Sequence, residues 1–478
     1  LLAFVLLTAF LVAGTAAAQV PLTQISTDTF TNTTSQHESE VEPASFTVGS
    51  TIVSVFQVGR FTDGGSSDIG FSTSTDGGKT WTHGELPGIT KVQGTGPYDR
   101  ASDPSVTYNA KNKVWLAEVL GLSQAGGPHG AGVLVSSSVD GITWNNPVTV
   151  SKVESGGYYD KPWVGCDNHS ASPFYGNCYV EWDDFSQFDL IEMSTSKDGG
   201  KTWSLKANTS GAGSGTGGIP QVQPNGTVIV PIDDPFLSSV LAFKSTDGGT
   251  TWTAPVTVAL ISEHGVAGGM RALPLIGATV DVAGKVYIVW ADCSFRASCS
   301  SNDIVMSTST DGTSWTAPAR IPIDPVTSTA DHFTPGLAVA PGGTALALTF
   351  YYFPKASCTT NCNLSVGYIT STSGGTTWGK ARMLTSGINP SWLASTTSGQ
   401  MSGDYITSEI SAGKVHGIFA DAKAPVGTTL NENMFTNTTG LTDITADEPQ
   451  FSSANDKPVP NAHSDRPKRT TPHRDDQR

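Results

Sequence analysis

Apolar and polar residues alternate in short runs along most of this chain, as in DIGFSTST at 68–75, GVLVSSS at 132–138 and DIVMSTST at 303–310. A period of two is the pattern of a β-strand. Each of these runs leads into a copy of one phrase. The copies are STSTDGGKTW at 72–81, SSSVDGITW at 136–144, STSKDGGKTW at 194–203, KSTDGGTTW at 244–252 and STSTDGTSW at 307–315. A sixth, TSTSGGTTW at 370–378, has Ser373 where the others have Asp. A short strand-like run follows, such as NPVTV at 146–150 or APVTV at 254–258. Upstream lie two more runs joined by a tight turn: DPSVTY and KVWLAEVL around NAKN, or LIGATVD and KVYIVWAD around Ala283-Gly284. One unit therefore reads as four strands, with the phrase at the turn between the third and fourth.

Such a four-stranded sheet cannot bury both faces alone. Stacking the sheets around an axis buries them on each other, which makes a β-propeller. The predicted fold is all-β, a seven-bladed propeller of four-stranded antiparallel sheets, with six blades as the alternative. The units fall at roughly 40–90, 99–152, 159–205, 218–260, 268–322, 330–385 and 400–440. The last lacks the phrase and needs a fourth strand, which LTQISTDTFTNT at 22–33 can supply. Residues 22–441 are thus expected to form one domain. In the repeated turn the Asp accepts backbone N–H groups, the Gly residues allow positive φ, and the Trp closes the turn.

Composition narrows the picture. Only 14% of the 478 residues are charged, and the net charge is −15. A chain this acidic repels phosphate backbones, so nucleic acid is an unsuitable partner. Residues 1–18 read as a signal peptide with its cleavage site at Ala16-Ala17-Ala18, which predicts secretion. No later run is long and apolar enough to span a bilayer, so no stable membrane insertion is expected after cleavage. The six cysteines form three close pairs, Cys166/Cys178, Cys293/Cys299 and Cys358/Cys362. Beside an export signal these suggest three local disulfides; zinc is the rival reading. Residues 442–478 are polar and proline-containing and are expected to form a disordered tail. A monomer is expected.

With six copies of Ser-X-Asp-X-Gly-X-Thr-Trp-like phrases, the chain resembles the sialidase (neuraminidase) superfamily and its BNR or Asp-box repeat. The resemblance covers roughly 40–440. It implies a propeller with the boxes on the face opposite the active site, and a secreted, glycan-acting protein. VFQVGRFTDGGSSDIGFSTSTDGGKTW at 55–81 is similar to the first sialidase blade, which places Arg60 at a substrate arginine and Asp63 or Asp68, with Asp68 preferred, at the catalytic acid. ASDPSVTYNAKNKVWL resembles the second blade and puts Asp103 at a substrate contact. SGDYITSEI resembles the segment with the nucleophilic tyrosine, here Tyr405; a tyrosine that merely lines the channel is the alternative. Glu263 is the nearest candidate for the glutamate that would polarise it.

The chain also departs from the family. Where the first of three carboxylate-clamping arginines is expected, it reads EVEPASF, with Glu42-Pro43. Arg271 and Arg296 are the other candidate substrate-binding cations, and no arginine stands near DHFTPGLAV. The rim loops also carry Lys161, Asp404, Asp183-Asp184 and Asp233-Asp234. Trp163 and Trp182 are candidates for stacking on sugar rings or for packing between sheets. No cofactor is expected; Ca²⁺ on the Asp pairs is the alternative. Two functions compete: an exo-type glycoside hydrolase using two carboxylates or a tyrosine, and a non-catalytic carbohydrate- or protein-binding propeller.

Overall fold

The computed structural model describes residues 20–154, 156–441 and 456–459. The apolar leader and most of the C-terminal tail lie outside the described residues. The described chain is all-β, with three short 3-10 turns and no α-helix.

Strands Glu40–Val48, Thr51–Arg60, Ser66–Ser74 and Thr82–Glu85 pair antiparallel in chain order. The same four-stranded meander recurs over 100–152, 159–208, 221–260, 277–320 and 331–388. Neighbouring sheets touch at single residue pairs, Ser66 with Ala101 and Tyr159 with Gly130, so three of the meanders run on as one twelve-stranded sheet. The final sheet is built from both ends of the chain. Thr407–Ser411, Lys414–Ala422 and Glu432–Asn437 are joined by Leu22–Gln24, which pairs with Glu432–Asn437. Ile25 then packs with Ile52 and Phe56 of the first sheet and Ile418 and Met434 of the last. This is the part played by the N-terminal segment in the sequence reading.

Stacking of the sheets is expected to cover both of their faces. In the structure both faces are covered: Ser66–Ser74 and Cys178–Asp184 are buried at every residue. Several buried hydroxyls on the strands bond to backbone, as Ser54 does by donating to the Ala44 carbonyl at 3.0 Å.

The repeated phrase makes one turn wherever it occurs. Asp76 Oδ1 accepts the Lys79 and Thr80 amides at 3.0 and 2.9 Å, and Ser74 Oγ accepts the Gly78 amide. Trp81 Nε1 donates to the Gly78 carbonyl at 3.1 Å. Asp140, Asp198, Asp247 and Asp311 repeat the clasp. Backbone amides at Asp76, Asp140 and Asp311, and threonine hydroxyls working against burial at Asp198 and Asp247, hold these carboxylates below their ordinary range, Asp311 down to about 2. Ser373 does the same work with one hydroxyl, accepting the Thr377 amide at 2.8 Å. These turns close the ends of the strands that start near Ser66, so they sit at the opposite end of each sheet from Glu40 and Arg60.

The first strand of each sheet, with the residues leading into it, lines a single cavity of about 370 Å³, to which Phe46, Val106, Val164, Val222, Val280, Leu337 and Thr407 each contribute. The paired cysteines are disulfide-bonded as expected, Cys166–Cys178 directly across two strands. Of the tail, residues 456–459 lie against the 277–320 sheet: Asp456 is 3.3 Å from Arg320, and the Val459 amide donates to the Ser294 carbonyl at 2.7 Å.

Candidate functional site at the channel mouth

Four inner strands carry an X-Pro pair at the same place: Glu42-Pro43, Asp103-Pro104, Lys161-Pro162 and Thr334-Pro335. Proline offers no N–H to the ladder, and the pairing slips by a bulge at each of these sites. The residue before the proline takes a left-handed backbone, with φ of +59°, +44°, +46° and +47°. For residues other than glycine this is strained, and such strain concentrates at functional sites. Three of these residues meet at the end of the cavity away from the Asp turns.

There Lys161 Nζ lies 3.3 Å from Asp103 Oδ1 and 2.8 Å from Asp404 Oδ2. Arg271 holds the same Asp404 with two bonds, Nε to Oδ1 at 2.8 Å and Nη2 to Oδ2 at 2.6 Å. Glu42 accepts the Asp404 amide and the Gln57 side chain, and Arg60 Nη1 donates to Gln57 Oε1 at 2.8 Å. Tyr405 follows Asp404 directly. Its hydroxyl donates to the Pro104 carbonyl at 3.1 Å, and its ring meets the edge of Trp163 at 5.2 Å. Burial, then the Asp404 charge, push the Glu42 carboxyl up to about 8, against the pull of Lys161. Burial, then Glu42, hold the Tyr405 phenol well above its ordinary range.

The cluster is covered. Glu42, Asp103, Lys161, Arg271 and Asp404 are all under 5% exposed. A hairpin of Ala394–Thr396 and Gly399–Met401 is fastened on both sides of it. The Arg271 amide donates to Gln400 and the Gln400 amide to Gly269, both at 2.8 Å, while the Thr397 amide reaches Thr62 at 3.1 Å. Ser398 Oγ accepts from Arg271 Nη1.

Of the residues picked out in the sequence, Arg60, Asp103, Arg271 and Tyr405 come together here. Asp68, Arg296 and Trp182 are placed elsewhere. Asp68 Oδ1 accepts its neighbour Ile69's amide at 2.8 Å, and its carboxyl lies beside Thr90 in a fully buried place that raises its pKa. The alternative acid, Asp63, is paired with Arg100 at 2.6 Å. Glu263 sits on a segment tied down by Asp292 and Asn302 through the Ser262 and His264 amides. Arg296 turns away from the mouth: it binds Asp303 and Asp324 and the carbonyls of Pro325, Val326 and Ser328. Trp182 is 0% exposed, with Nε1 bonded to Glu192, so no sugar face reaches it. Gln57 belongs to no motif in the sequence, where Glu42, Lys161 and Asp404 stand only as rim residues. The recurrence of X-Pro at one register was the available signal.

Of the Asp pairs considered for Ca²⁺, Asp183 keeps both carboxylate oxygens and Asp233 its Oδ1 buried without a hydrogen-bond partner. Asp184 and Asp234 spend their oxygens on the turns after them, on the Ser186 amide and on the Ser238 and Ser239 amides. Asp303, Asp324 and His332 have the closeness of a ligand set, but two guanidinium groups, Arg296 and Arg320, already lie between the carboxylates.

No family model matches the chain. A sialidase of Bacteroides fragilis (strain YCH46) is 26% identical over 256 residues, 47% of this chain and 44% of that protein. The chain thus spans less than half of the curated relative it matches. Among solved structures, a polysaccharide lyase of family PL25, an ulvan lyase, has a TM-score of 0.52 at 10% identity, covering 88% of this chain and 97% of that one. That likeness is one of fold. The Hadza microbial sialidase Hz136 has a TM-score of 0.44 at 16% identity over 73% of this chain and 66% of that one. The chain is sialidase-like at the level of the superfamily.

Proposed function

We propose that residues 22–441 form a secreted seven-bladed propeller that acts on glycans as an exo-type glycoside hydrolase with an atypical site at the channel mouth. One observation carries this reading: Tyr405, Asp103, Glu42, Lys161 and Arg271, from five separate stretches of chain, converge at the end of the cavity opposite the Asp turns. The three disulfides favour an oxidising, extracellular setting. The meanders and the terminal strand that completes the last sheet favour a closed ring.

In this reading Tyr405 Oη attacks the anomeric carbon and its proton passes to the Asp103 carboxylate. Glu42, which keeps its proton to about pH 8, protonates the leaving oxygen. Water then cleaves the tyrosyl glycoside. The Ala394–Met401 hairpin has to lift to admit the sugar. Arg271 already holds a carboxylate, that of Asp404, so the site favours a sugar without one.

Release of 4-methylumbelliferone from a panel of aryl glycosides, including the sialoside, tests the reading. Tyr405→Phe should lower the rate by roughly 1,000-fold or more on any substrate turned over. A variant that keeps wild-type rates removes Tyr405 from the reaction, and rapid turnover of the sialoside overturns the substrate preference. The second reading is a non-catalytic glycan-binding propeller. It is favoured by the buried ion pairs that engage Lys161 and Arg271. Glycan binding without turnover of any substrate would establish it.

A further inference from the structure

A second, larger cavity of about 960 Å³ lies away from the channel, between the 100–152 and 159–208 sheets. It opens on the same face as the Tyr405 cluster, because it is walled by the loops that follow Val114–Ser123 and Cys178–Asp184 and by the connection into Tyr159–Cys166. Tyr98, His129, Tyr158 and Phe185 stand in its wall among glycines and polar residues. His129 meets Tyr158 at 6.2 Å between ring centres and Tyr158 meets Phe185 at 5.3 Å, both edge to face. A second pair of rings lies beyond the cavity. Phe188 closes the short turn begun by Phe185 and meets Phe236 of the next sheet at 5.7 Å. Phe188 is 50% exposed, and a left-handed backbone with φ of +63° holds it there. The rim carries two cations and two carboxylates, Lys91, Lys152, Asp99 and Glu154, of which Lys91 and Asp99 are paired at 2.6 Å.

We propose that this cleft and the Phe188–Phe236 pair form a binding track for a neutral oligosaccharide chain, separate from the channel mouth. Phe188 is the one ring of the track that is both half exposed and held in a left-handed backbone, an arrangement that costs free energy unless a ligand covers it. Pyranose rings present C–H faces that pack on aromatic rings and hydroxyls that reach a mixed polar rim. Two cations balanced by two carboxylates leave little net charge on the rim to select an anion. A concave trough with rings spaced along it suits a chain of sugars better than a flat protein partner. The proposal deepens the glycan-acting reading by assigning the more distant sugars of a chain to a site of their own, and it rests on that reading for the class of ligand.

Calorimetric titration of the full chain with neutral hexasaccharides (β-1,4-glucan, β-1,4-galactan and α-1,6-mannan) and with hexagalacturonate tests it. At least one neutral hexasaccharide should bind, roughly tenfold more weakly to Phe185→Ala/Phe188→Ala. Phe188→Ser alone, at a half-exposed side chain, should show part of the loss if the double variant folds poorly. Binding unchanged by both phenylalanine variants, binding of none of the neutral chains, or binding of hexagalacturonate alone each overturns the proposal. Turnover of aryl glycosides with unaltered binding in the phenylalanine variants would sink the track while leaving the channel-mouth reading intact. Hexasaccharide binding lost in those variants, with no turnover of any glycoside, would do the reverse.

Discussion

Glu409 shows how a single buried side chain ties this fold to pH. It lines the channel, accepts from Ser45 Oγ at 2.7 Å, and is pushed up to about 7 by burial. In the unfolded chain it would lose its proton near 4.3. Between those values the folded state binds the extra proton, so Glu409's contribution falls as pH rises from about 4.5 to 7 and is flat above that. The Asp turns have the opposite sign. Their carboxylates are held down, so the stability they add is present above about pH 4 and fades as pH falls through the folded value, about 2 for Asp311. Urea midpoints of Glu409→Gln at pH 5 and pH 7.5 should differ less than those of the wild type. An equal difference would mean that the channel carboxyl titrates normally. The role of the repeated Asp was legible because all its partners lie within four residues. The setting of Glu409 was not, because it is made by Ser45, 364 positions away.

At the scale of the element, the X-Pro bulge is the unit that builds the site. A regular strand would keep alternating its side chains between sheet faces. A proline that breaks the ladder lets the residue before it point along the axis, toward the other inner strands. Lys161 is the central cation of the result, bridging Asp103 and Asp404 while 4% exposed. Lys161→Met should therefore cost about 3 kcal/mol in urea unfolding at pH 7, since it leaves buried carboxylates with less compensation. A cost below about 1 kcal/mol would show that Arg271 alone carries Asp404. The prolines themselves were plain in the sequence. That Glu42 is locked to Gln57 and the Asp404 amide was not.

Across the whole molecule, the ends of the chain complete one another. Leu22–Gln24 adds to the last sheet, and Ile25, 0% exposed, packs between that sheet and the first. Ile25→Ala should cost about 2–5 kcal/mol, the usual range for emptying a core site. The unfolding transition should stay single if the sheets form one cooperative ring. A small cost, or loss of only the last sheet's signal in hydrogen exchange, would argue that the ends are not a structural closure.

By itself the sequence determined the strands, the six turns, the three disulfides and the role of the N-terminal strand. Each depends on neighbours close in the chain or on a repeat that can be counted. Only the tertiary structure decided which charged residues meet. Asp68 and Asp103 both sit in acidic, site-like contexts, yet Asp68 is turned onto Ile69 and Thr90 while Asp103 faces Lys161. Arg271 and Arg296 look alike as cations, yet one reaches the mouth and the other is taken up by Asp303 and Asp324. The reason is geometric: these partners are supplied by different sheets, and which way a side chain turns at the end of a strand depends on bulges and neighbours that no local pattern encodes.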